Sequence, residues 1–412
     1  MMHHGGPRRI LYVVPYVPLR GTPGLQGPKN VSGPLVRYLS ENHHVTLVMI
    51  TDHGESGERE VRAAYPSLEK VISLRKPVGW RRHAKRMLAV ARGYPATVGE
   101  WMDAGFGRLL VEEARGHDLV HLDFFYLAPY TALLGTHAPV ILTCHDAYSM
   151  GLARAEATVD SHIQRLGLWA RKRAFLRTET KLYRHADAVV TVSKVDTAYL
   201  RSLRLVSVWT LAPAMEPWNV KTPESHMDTP PQILCVVPRA DVSWLVQDTV
   251  VFLDSVLPRI RKEVGMTVPL TVWGRSAERV LECCKPTMAV RVMAHADDYG
   301  DFLAQNWIYV YPRRVGSGLH TKLLEAMASG LPVVGYREIM DAFNGMSGVH
   351  YFSCEDREGM GDAVVRLLKD EDLRVRVGNQ AIAYVRDRHS LAVLGNTIEA
   401  IYEAGINSRE PV

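Results

Sequence analysis

The feature that most constrains this chain is an alternation of short apolar segments with helical stretches, which occurs twice along its 412 residues. In the first half, the apolar segments expected to form strands lie at 9–14, 44–50, 118–122, 138–143 and 186–193. In the second half they lie at 233–238, 268–274, 289–293, 307–311 and 331–335. Because strands that alternate with helices form parallel sheets with right-handed crossovers, the sequence predicts an α/β protein. We expect two doubly wound, Rossmann-like domains that face a cleft.

A proline-rich polar segment at 212–231 separates the two alternating halves and is the best linker candidate. The chain is also too long for one ordinary core. We therefore expect an N-terminal domain over 1–215, a second domain over 216–388, and a final segment, 389–412, whose helix packs back on the first domain. In such sheets ligands bind beyond the carboxyl ends of the strands, so the cleft between the domains is the expected site.

The composition is that of a soluble globular protein, with 47% hydrophobic and 23% charged residues. The longest apolar region, 119–144, is interrupted by His121, Asp123, Pro129 and Pro139 and does not predict a membrane span. The five cysteines show neither a Cys-x-x-Cys pair nor a metal-binding spacing with histidine. The first residues do not resemble a signal peptide, so reduced thiols in a cytoplasmic protein are expected.

Charge is distributed unevenly, since residues 1–218 carry 28 Lys and Arg against 19 Asp and Glu, whereas the remainder carries 21 against 25. A basic first half suits an anionic partner, such as a membrane surface or a charged acceptor. An uneven distribution of charged surface residues without a functional role is an alternative that stays open.

Two basic stretches, 75–86 and 165–185, carry much of this charge, and in the second Trp169 and Phe175 interleave with arginines and lysines. An amphipathic basic helix of this kind can lie on anionic lipid. The plainer interpretation is a helix with one solvated basic face. No recognised nucleic-acid-binding module accompanies the charge, so no nucleic-acid partner is expected.

The segment RVGSGLHTKLLEAMASGLPVV follows the fourth apolar strand of the second half. Gly316 and Gly318 allow the backbone to approach a ligand closely, and a helix expected to begin near Leu319 presents N–H groups that suit a phosphate. Lys322 and Glu325 are three residues apart and share one helix face. Such a lysine can meet a diphosphate and such a carboxylate the hydroxyls of a ribose. A solvated Lys–Glu pair is the alternative.

Between the first strand and the first helix lies the glycine-rich loop RGTPGLQGPKN, residues 20–30. Gly21, Gly24 and Gly27 follow a strand and Asp52 follows the next one, rather as in a dinucleotide-binding fold. That motif needs a tight turn directly into a helix. The prolines in and before this segment predict a long, open loop instead.

Polar residues also occur where two strands of the first half end. His121 and Asp123, in HDLVHLDFF, share one strand face if the strand extends that far, at the end expected to face the cleft. A core histidine with satisfied hydrogen bonds is the alternative for His121. His145 and Asp146 end the next strand and are suited to line the acceptor side, although Asp146 is equally suited to capping a helix.

Together these segments resemble the retaining, two-domain GT-B glycosyltransferases of family 4 (group 1), which use nucleotide sugars. RVGSGLHTKLLEAMASGLPVV and the preceding DDYGDFLAQNWIYVYP are similar to the donor-binding signature of that family. ILCVVPRADVSWLVQDTVVFLDSVLPRI resembles the opening of its donor domain. The first half is similar to its acceptor domain in ILYVVPYVP, VSGPLVRYLSENHHVTLV, HDLVHLDFF and ADAVVTVSK.

The resemblance implies roles for individual residues. Glu325 matches the ribose-binding glutamate of the family, whereas Ser317 stands at the position of its partner glutamate. Arg239 matches a phosphate-binding arginine, and Trp244 stands where a lysine is usual. His121 matches a histidine that contacts the donor sugar beside the reaction centre.

The candidate residues fall into three groups. The donor-binding candidates are Arg239, Arg314, Gly316, Ser317, Gly318, Leu319, Lys322 and Glu325. The candidate catalytic residues are His121, Asp123 and His145. The candidates for contact with the acceptor or the donor phosphates are Gly24, Gly27 and Asp146.

The implied function is transfer of a sugar from a nucleoside-diphosphate donor to a hydroxyl of a glycan, a lipid-linked molecule or a small molecule, with retention at the anomeric carbon. The first domain is expected to bind the acceptor and the second the donor. No Asp-x-Asp motif lies beside the donor segment, so neither a metal nor another cofactor is expected. We expect a cytoplasmic enzyme, and peripheral association with the inner membrane face through the basic first domain stays open.

Two alternatives remain open. One is a sugar-nucleotide epimerase of the same fold, which needs no acceptor. The other is a non-catalytic sugar-nucleotide-binding protein, suggested by Ser317 and Trp244 in place of charged residues.

Overall fold

The computed structural model describes most of the chain, in two compact units. The described residues are 6–19, 26–51, 54–75, 79–205, 207–215, 230–239, 243–275, 277–284, 288–294 and 299–409, without the side chains of 26, 54–56, 238–239 and 243–245. Unit 1 comprises Met1–Glu156, Asp160–Ala214 and Leu391–Val412, and unit 2 comprises Ala157–Val159 and Met215–Ser390.

The strands and helices alternate in both units. The strands are β1 Arg9–Val14, β2 His44–Thr51, β3 Lys70–Arg75, β4 Leu119–Asp123, β5 Val140–His145, β6 Ala188–Thr191, β7 Val208–Thr210, β8 Ile233–Arg239, β9 Leu270–Arg275, β10 Val290–Met293, β11 Ile308–Tyr311, β12 Val333–Tyr336 and β13 Phe352–Cys354. The helices are α1 Gln26–Asn42, α2 Gly54–Ala64, α3 Trp80–Ala91, α4 Ala96–Gly99, α5 Ala104–Ala114, α6 Thr131–Leu134, α7 Tyr148–Thr158, α8 His162–Lys181, α9 Lys194–Ser202, α10 Ser243–Val251, α11 Leu257–Val264, α12 Glu278–Cys283, α13 Tyr299–Ala304, α14 Thr321–Ala328, α15 Arg337–Met340, α16 Arg357–Lys369, α17 Glu371–Arg388 and α18 Leu391–Asn407.

Each unit contains one parallel sheet. The strand order is β3-β2-β1-β4-β5-β6-β7 in unit 1 and β10-β9-β8-β11-β12-β13 in unit 2. The direction of winding therefore reverses between β1 and β4 and again between β8 and β11. In doubly wound sheets, ligands bind outside the carboxyl ends of the strands at such a reversal. The predicted α/β class with two Rossmann-like domains is confirmed.

Burial explains why these apolar segments are strands. Residues 10–14 of β1 and most of β2, β4 and β5 are inaccessible to solvent. Helices cover both faces of a doubly wound sheet, so its central strands are near-continuous apolar runs.

The structure contains three strands that the sequence analysis did not predict, namely β3, β7 and β13. Each lies at or near the edge of its sheet, where the residues are more polar and the runs are short. Helix α14 begins at Thr321, two residues later than predicted, because Gly318 adopts a left-handed conformation, with φ of 73°, and delays the first helical turn. Helix α1 begins at Gln26, inside the segment predicted to be an open loop.

The C-terminal helix α18 belongs to unit 1. Its buried residues Leu394, Ile398 and Tyr402 are part of the unit 1 core. The Glu399 carboxylate accepts hydrogen bonds from the Arg8 guanidinium at 2.5 Å and pairs with the His43 imidazole at 2.6 Å. Burial alone raises the pKa of Glu399, but these two partners outweigh it and hold the pKa below its usual range.

Among the described residues, no helix combines the length and the apolarity needed to cross a bilayer. All five cysteines lie in the described part of the chain and are free thiols, of which Cys144, Cys235 and Cys354 are buried.

We predict that Gly395→Ala destabilises unit 1. A Cβ at this position would lie 2.3 Å from the Tyr38 ring, whose hydroxyl donates to Glu399 at 3.3 Å. Displacing that ring is expected to cost about 1–3 kcal/mol, against a gain of at most about 1 kcal/mol from replacing a helical glycine by alanine. The melting temperature measures the difference.

Gly167→Ala in α8 is the matched control, because no atom lies within 4 Å of the added Cβ. It is expected to leave the melting temperature unchanged or to raise it slightly. A Gly395→Ala variant as stable as this control would contradict the packing between α18 and α1.

Candidate functional site

The carboxyl ends of β4 and β5 hold a buried acid–base pair. The His145 Nε2 and an Asp123 carboxylate oxygen are 2.6 Å apart, and the Tyr12 hydroxyl donates to the other oxygen. Asp123 is only 1% exposed. Burial alone raises the pKa of the Asp123 carboxyl, but the charge and hydrogen bond of His145 outweigh it and hold the pKa below its usual range. The pair is therefore a carboxylate held against an imidazole at the reversal between β1 and β4.

The backbone around this pair is held in unusual conformations. Both Phe124 and His145 have positive φ angles, of 110° and 66° respectively. A non-glycine residue in such a conformation costs on the order of 1–3 kcal/mol, and such residues cluster at functional sites. The register between β5 and β6 also shifts between Thr143 and His145. The imidazole therefore lies at the carboxyl end of β5, where the regular alternation of the strand is interrupted.

Helix α1 contributes Ser32 next to this pair and also carries a buried lysine. The Ser32 hydroxyl contacts the Tyr16 hydroxyl at 2.8 Å, and a hydrogen bond from Ser32 also lowers the pKa of Asp123. Lys29, in the first turn of α1, is inaccessible to solvent, and burial lowers its pKa. The sequence analysis missed Lys29 because it predicted an open loop there. Gly24 lies outside the described residues, and Gly27 is an exposed residue of the first turn of α1.

His121 is buried in the middle of β4 rather than at the carboxyl end of the strand. Its Nδ1 is 2.7 Å from the Tyr402 hydroxyl and its Nε2 is 2.8 Å from the Thr143 hydroxyl, so both ring nitrogens have partners. Burial lowers its pKa to about 4. This is the geometry of the satisfied core histidine that stayed open as an alternative, and contact with a donor sugar stays a prediction. Asp146 is half-buried between β5 and α7.

The pKa of His121 predicts how stability depends on pH. Between about pH 4 and pH 6.5 the unfolded chain binds a proton at His121 that the folded chain does not bind. The contribution of neutral His121 to the free energy of unfolding is therefore fully present above pH 6.5. It is lost as the pH falls toward 4, and amounts to on the order of 3 kcal/mol. Urea unfolding across this range should show a shallower pH dependence for His121→Gln than for the unchanged chain.

His83→Gln provides the control, because His83 is an exposed histidine of α3 and of the same unit. It is expected to leave the pH dependence of unfolding unchanged. Equal slopes for all three proteins would show that His121 is not buried in the folded state.

In unit 2 the donor segment forms a tight loop and a short helix at the carboxyl end of β11. Gly318 needs its glycine because its φ is 73°, and a Cβ at Gly316 would lie 2.8 Å from the His320 ring. The backbone then enters α14 at Thr321. This loop lies at the reversal between β8 and β11, and the positive end of α14 follows it.

Lys322 and Glu325 form an ion pair on α14. The lysine Nζ and a glutamate oxygen are 3.0 Å apart, and Glu325 is only 2% exposed. The same ammonium group lies 4.1 Å from the Tyr299 ring centroid and 5.0 Å from the Trp273 ring centroid. Cation–π attraction to two aromatic rings thus holds the lysine beside the buried carboxylate. The sequence pattern does not reveal either aromatic partner, because Trp273 lies in β9 and Tyr299 begins α13.

Arg314 is engaged within the loop region. Its guanidinium donates to Glu338 and to the Glu355 carbonyl, both at 2.9 Å, and lies 3.8 Å from the Tyr336 ring centroid. Its backbone N–H donates to Asp248 at 3.0 Å. The structure therefore shows Arg314 as an anchor of the loop.

The remaining donor candidates are placed as follows. Ser317 and Leu319 are half-buried, and Leu319 packs against a cluster of apolar residues in unit 2. Arg239 ends β8, next to β11, but its side chain lies outside the described part of the structure, as does that of Trp244. Among the described residues, no group of three or more His, Cys, Asp and Glu is arranged to hold a metal ion.

Both halves of the chain match families of known proteins. Residues 232–370 match the family "Glycosyl transferases group 1", and residues 26–209 match "Glycosyl transferase 4-like domain". The phosphatidyl-myo-inositol mannosyltransferase of Mycobacterium leprae (strain TN) is 32% identical over 171 residues, which are 39% of this chain and 44% of that protein. The chain thus matches less than half the length of this relative.

Solved structures share the fold over nearly the whole chain. Anabaena Alr3699/HepE, in complex with UDP and glucose, covers 96% of this chain and 100% of its own, with a TM-score of 0.65 and 12% identity. Sucrose-phosphate synthase (tll1590) from Thermosynechococcus elongatus covers 97% of this chain and 100% of its own, with a TM-score of 0.69 and 14% identity. The family matches span most of both units, and the chain belongs to the group 1 glycosyltransferases of the GT-B fold.

Proposed function

We propose that this enzyme transfers a hexosyl group from a nucleoside-diphosphate sugar to a hydroxyl acceptor, with retention at the anomeric carbon. The observation that carries the proposal is the Lys322–Glu325 pair on α14, at the carboxyl end of β11 and beside the reversal of the sheet. A related fold that has been solved with UDP and glucose supports the choice of donor. The acceptor is a glycan, a lipid-linked molecule or a small molecule.

Unit 2 supplies groups that suit a nucleotide sugar. The buried Glu325 carboxylate accepts hydrogen bonds from the ribose hydroxyls, and the Lys322 ammonium donates to the diphosphate. Tyr299 and Trp273 keep that ammonium close to the N-terminal end of α14, which favours negative charge. Charges held in place before the donor arrives stabilise the departing diphosphate without reorganisation. Arg239, at the neighbouring strand end, is proposed as a second cation for the phosphates.

Unit 1 supplies the Asp123–His145 pair. We assign it the task of orienting the acceptor hydroxyl, because a charged carboxylate fixes one nitrogen of the imidazole and so its orientation. In the reaction the acceptor oxygen forms a bond to the anomeric carbon on the face that the diphosphate leaves. The bond from that carbon to the diphosphate oxygen breaks, and the acceptor proton passes to the departing diphosphate. Retention follows because both oxygens occupy one face of the sugar.

This scheme uses no metal and no other cofactor, and we propose that the enzyme needs neither. The departing diphosphate takes the acceptor proton, and the side chains of the two units orient the acceptor and stabilise the diphosphate. We further propose that the enzyme works in the cytoplasm, where nucleotide sugars are made.

A panel of nucleoside-diphosphate sugars tests the function. A donor present at 100 times its dissociation constant is expected to stabilise the enzyme by about 2.7 kcal/mol, seen as a raised melting temperature. With that donor and a hydroxyl acceptor, nucleoside diphosphate and a retained glycoside should form in equal amounts, with or without a chelator. Epimerised nucleotide sugar without an acceptor would assign the alternative reaction, and stabilisation without turnover would assign the binding protein.

Paired variants are expected to separate the roles of the two units. Lys322→Ala removes a charge-assisted hydrogen bond and should weaken donor binding about 10- to 100-fold. Asp123→Asn should lower the rate of transfer while leaving the dissociation constant of the donor unchanged. Isothermal titration and initial rates of transfer measure the two effects.

Lys262→Ala is the control, because Lys262 is an exposed lysine of unit 2 on α11. It should change neither quantity. Unchanged donor affinity in Lys322→Ala would remove the basis for placing the diphosphate at α14.

A further inference from the structure

Helix α3 of unit 1 exposes its large apolar side chains to solvent. Residues 75–92 contain seven Lys and Arg and no Asp or Glu, so a basic face directed to solvent would be expected. Instead, its large apolar residues are the exposed ones: Trp80 is 76%, Met87 69%, Leu88 51% and Val90 52% exposed.

Three of the four basic residues of α3 pair with carboxylates on its inward side, whereas Arg81 is exposed. Arg82 and Arg86 both pair with the Glu100 carboxylate, at 2.8 Å and 3.2 Å, and Lys85 pairs with Asp103 at 2.5 Å. Glu100 is only 6% exposed. A Cβ at Gly99 would lie 2.4 Å from the Ala89 side chain, so α3 lies directly against α4. These ion pairs fix which side of α3 faces outward.

The outward face of α3 is a continuous apolar stripe. Trp80, Ala84, Met87 and Ala91 follow one another at spacings of four, three and four residues, which places them on one side of the helix. All four are exposed. A stripe with this period normally packs into the core of its own domain, and here it has no cover among the described residues.

A groove adjoins this stripe. It has a volume of about 850 Å³ and lies between α3, α5 and α6. Its apolar lining includes Leu88, Met102, Val111, Tyr130 and Leu133.

The rim of the groove is mainly basic. Three exposed arginines, Arg92, Arg108 and Arg115, line it together with Lys85. The acidic residues among the lining are Asp103, which Lys85 already pairs with, and Glu112. The stripe and the groove are apolar and are bordered by arginines. They therefore complement a partner with an apolar interior and anionic groups at its surface.

We propose that α3 and the adjoining groove form a docking surface for an anionic phospholipid bilayer. The stripe of α3 enters the boundary between headgroups and acyl chains, and Arg92, Arg108 and Arg115 contact lipid phosphates. The surface shares no residue with the Asp123–His145 or Lys322–Glu325 pairs. It therefore stands apart from the proposed transfer reaction, and vesicle binding and donor binding are measured independently.

The sequence analysis named two basic stretches, 75–86 and 165–185, as candidates for a lipid-facing helix, and α3 overlaps the first of them. In α8 the exposed large apolar residues are confined to the first turns, at Ile163, Leu166 and Trp169. Phe175, one of the aromatic residues of that pattern, is buried against Phe125 and Tyr148. The apolar stripe of α3, by contrast, extends along the whole helix.

Vesicle flotation tests the proposal with the full chain. The unchanged protein is expected to float with vesicles of phosphatidylglycerol and phosphatidylcholine in equal parts, and much less with phosphatidylcholine alone. Met87→Glu combined with Leu88→Glu should lower the bound fraction about tenfold or more, because two apolar side chains leave the interface. Arg92→Glu combined with Arg108→Glu should lower it as well through the loss of charge attraction.

Matched controls carry the same charge changes on unit 2. Leu281→Glu with Met288→Glu replaces exposed apolar residues, and Arg386→Glu with Arg388→Glu reverses exposed arginines. Both controls should bind vesicles like the unchanged protein. Equal loss in a control and in the α3 variant would overturn the proposal, since net charge alone would then explain binding.

Two further outcomes would also overturn it. One is loss of binding in Ile163→Glu with Leu166→Glu but not in the α3 variants, which would assign docking to α8. The other is a dimer in sedimentation velocity that the α3 variants dissociate while no protein floats with vesicles, which would assign the stripe to a second copy of the chain.

Discussion

Parallel strands that are buried on both faces leave no water to satisfy a polar side chain, and this constraint organises unit 1. Each polar side chain of β4 accordingly has protein partners. His121 lies between the Tyr402 and Thr143 hydroxyls, and Asp123 lies between Tyr12 and His145. The same hydrogen bonds connect β4 to β1, β5 and α18, so the C-terminal helix and the candidate site depend on one network. His145 lies at the carboxyl end of β5, where its backbone has a positive φ.

Unit 2 prepares its site by a different means. The Lys322 ammonium is held by a buried carboxylate and two aromatic rings, so its position is set before any ligand is present. Arg314 anchors the loop through Glu338 and the Glu355 carbonyl, and its contact with a donor phosphate stays a prediction. A cation whose position is fixed by the protein stabilises a departing diphosphate more effectively than a mobile one, because no reorganisation is required. Unit 2 thus separates the residues that shape the loop from the residue proposed to meet the phosphates.

Helix α3 shows why charge in a sequence does not indicate which face of a helix is exposed. The rule that charged residues of a helix face solvent assumes that the surface on which the helix packs is apolar. Beneath α3 that surface presents Glu100 and Asp103, so Arg82, Lys85 and Arg86 pair with it, while the apolar stripe stays exposed. A helix with this arrangement is stable on its domain through ion pairs and close contact at Gly99, and it still presents an apolar surface to a partner.

The amino-acid sequence alone determined the class of fold, the two alternating halves and the donor segment, because strand and helix periods and glycine positions are local properties of the chain. It did not reveal the edge strands β3, β7 and β13, whose short, more polar runs carry little periodic signal. Only the tertiary structure decided the partners of the polar residues: that His121 is a core residue bonded to Tyr402, 281 positions away, and that Lys322 meets Tyr299 and Trp273. Such contacts join elements that are distant in sequence, and a side chain's hydrogen bonds, burial and charge state follow from what the fold places around it.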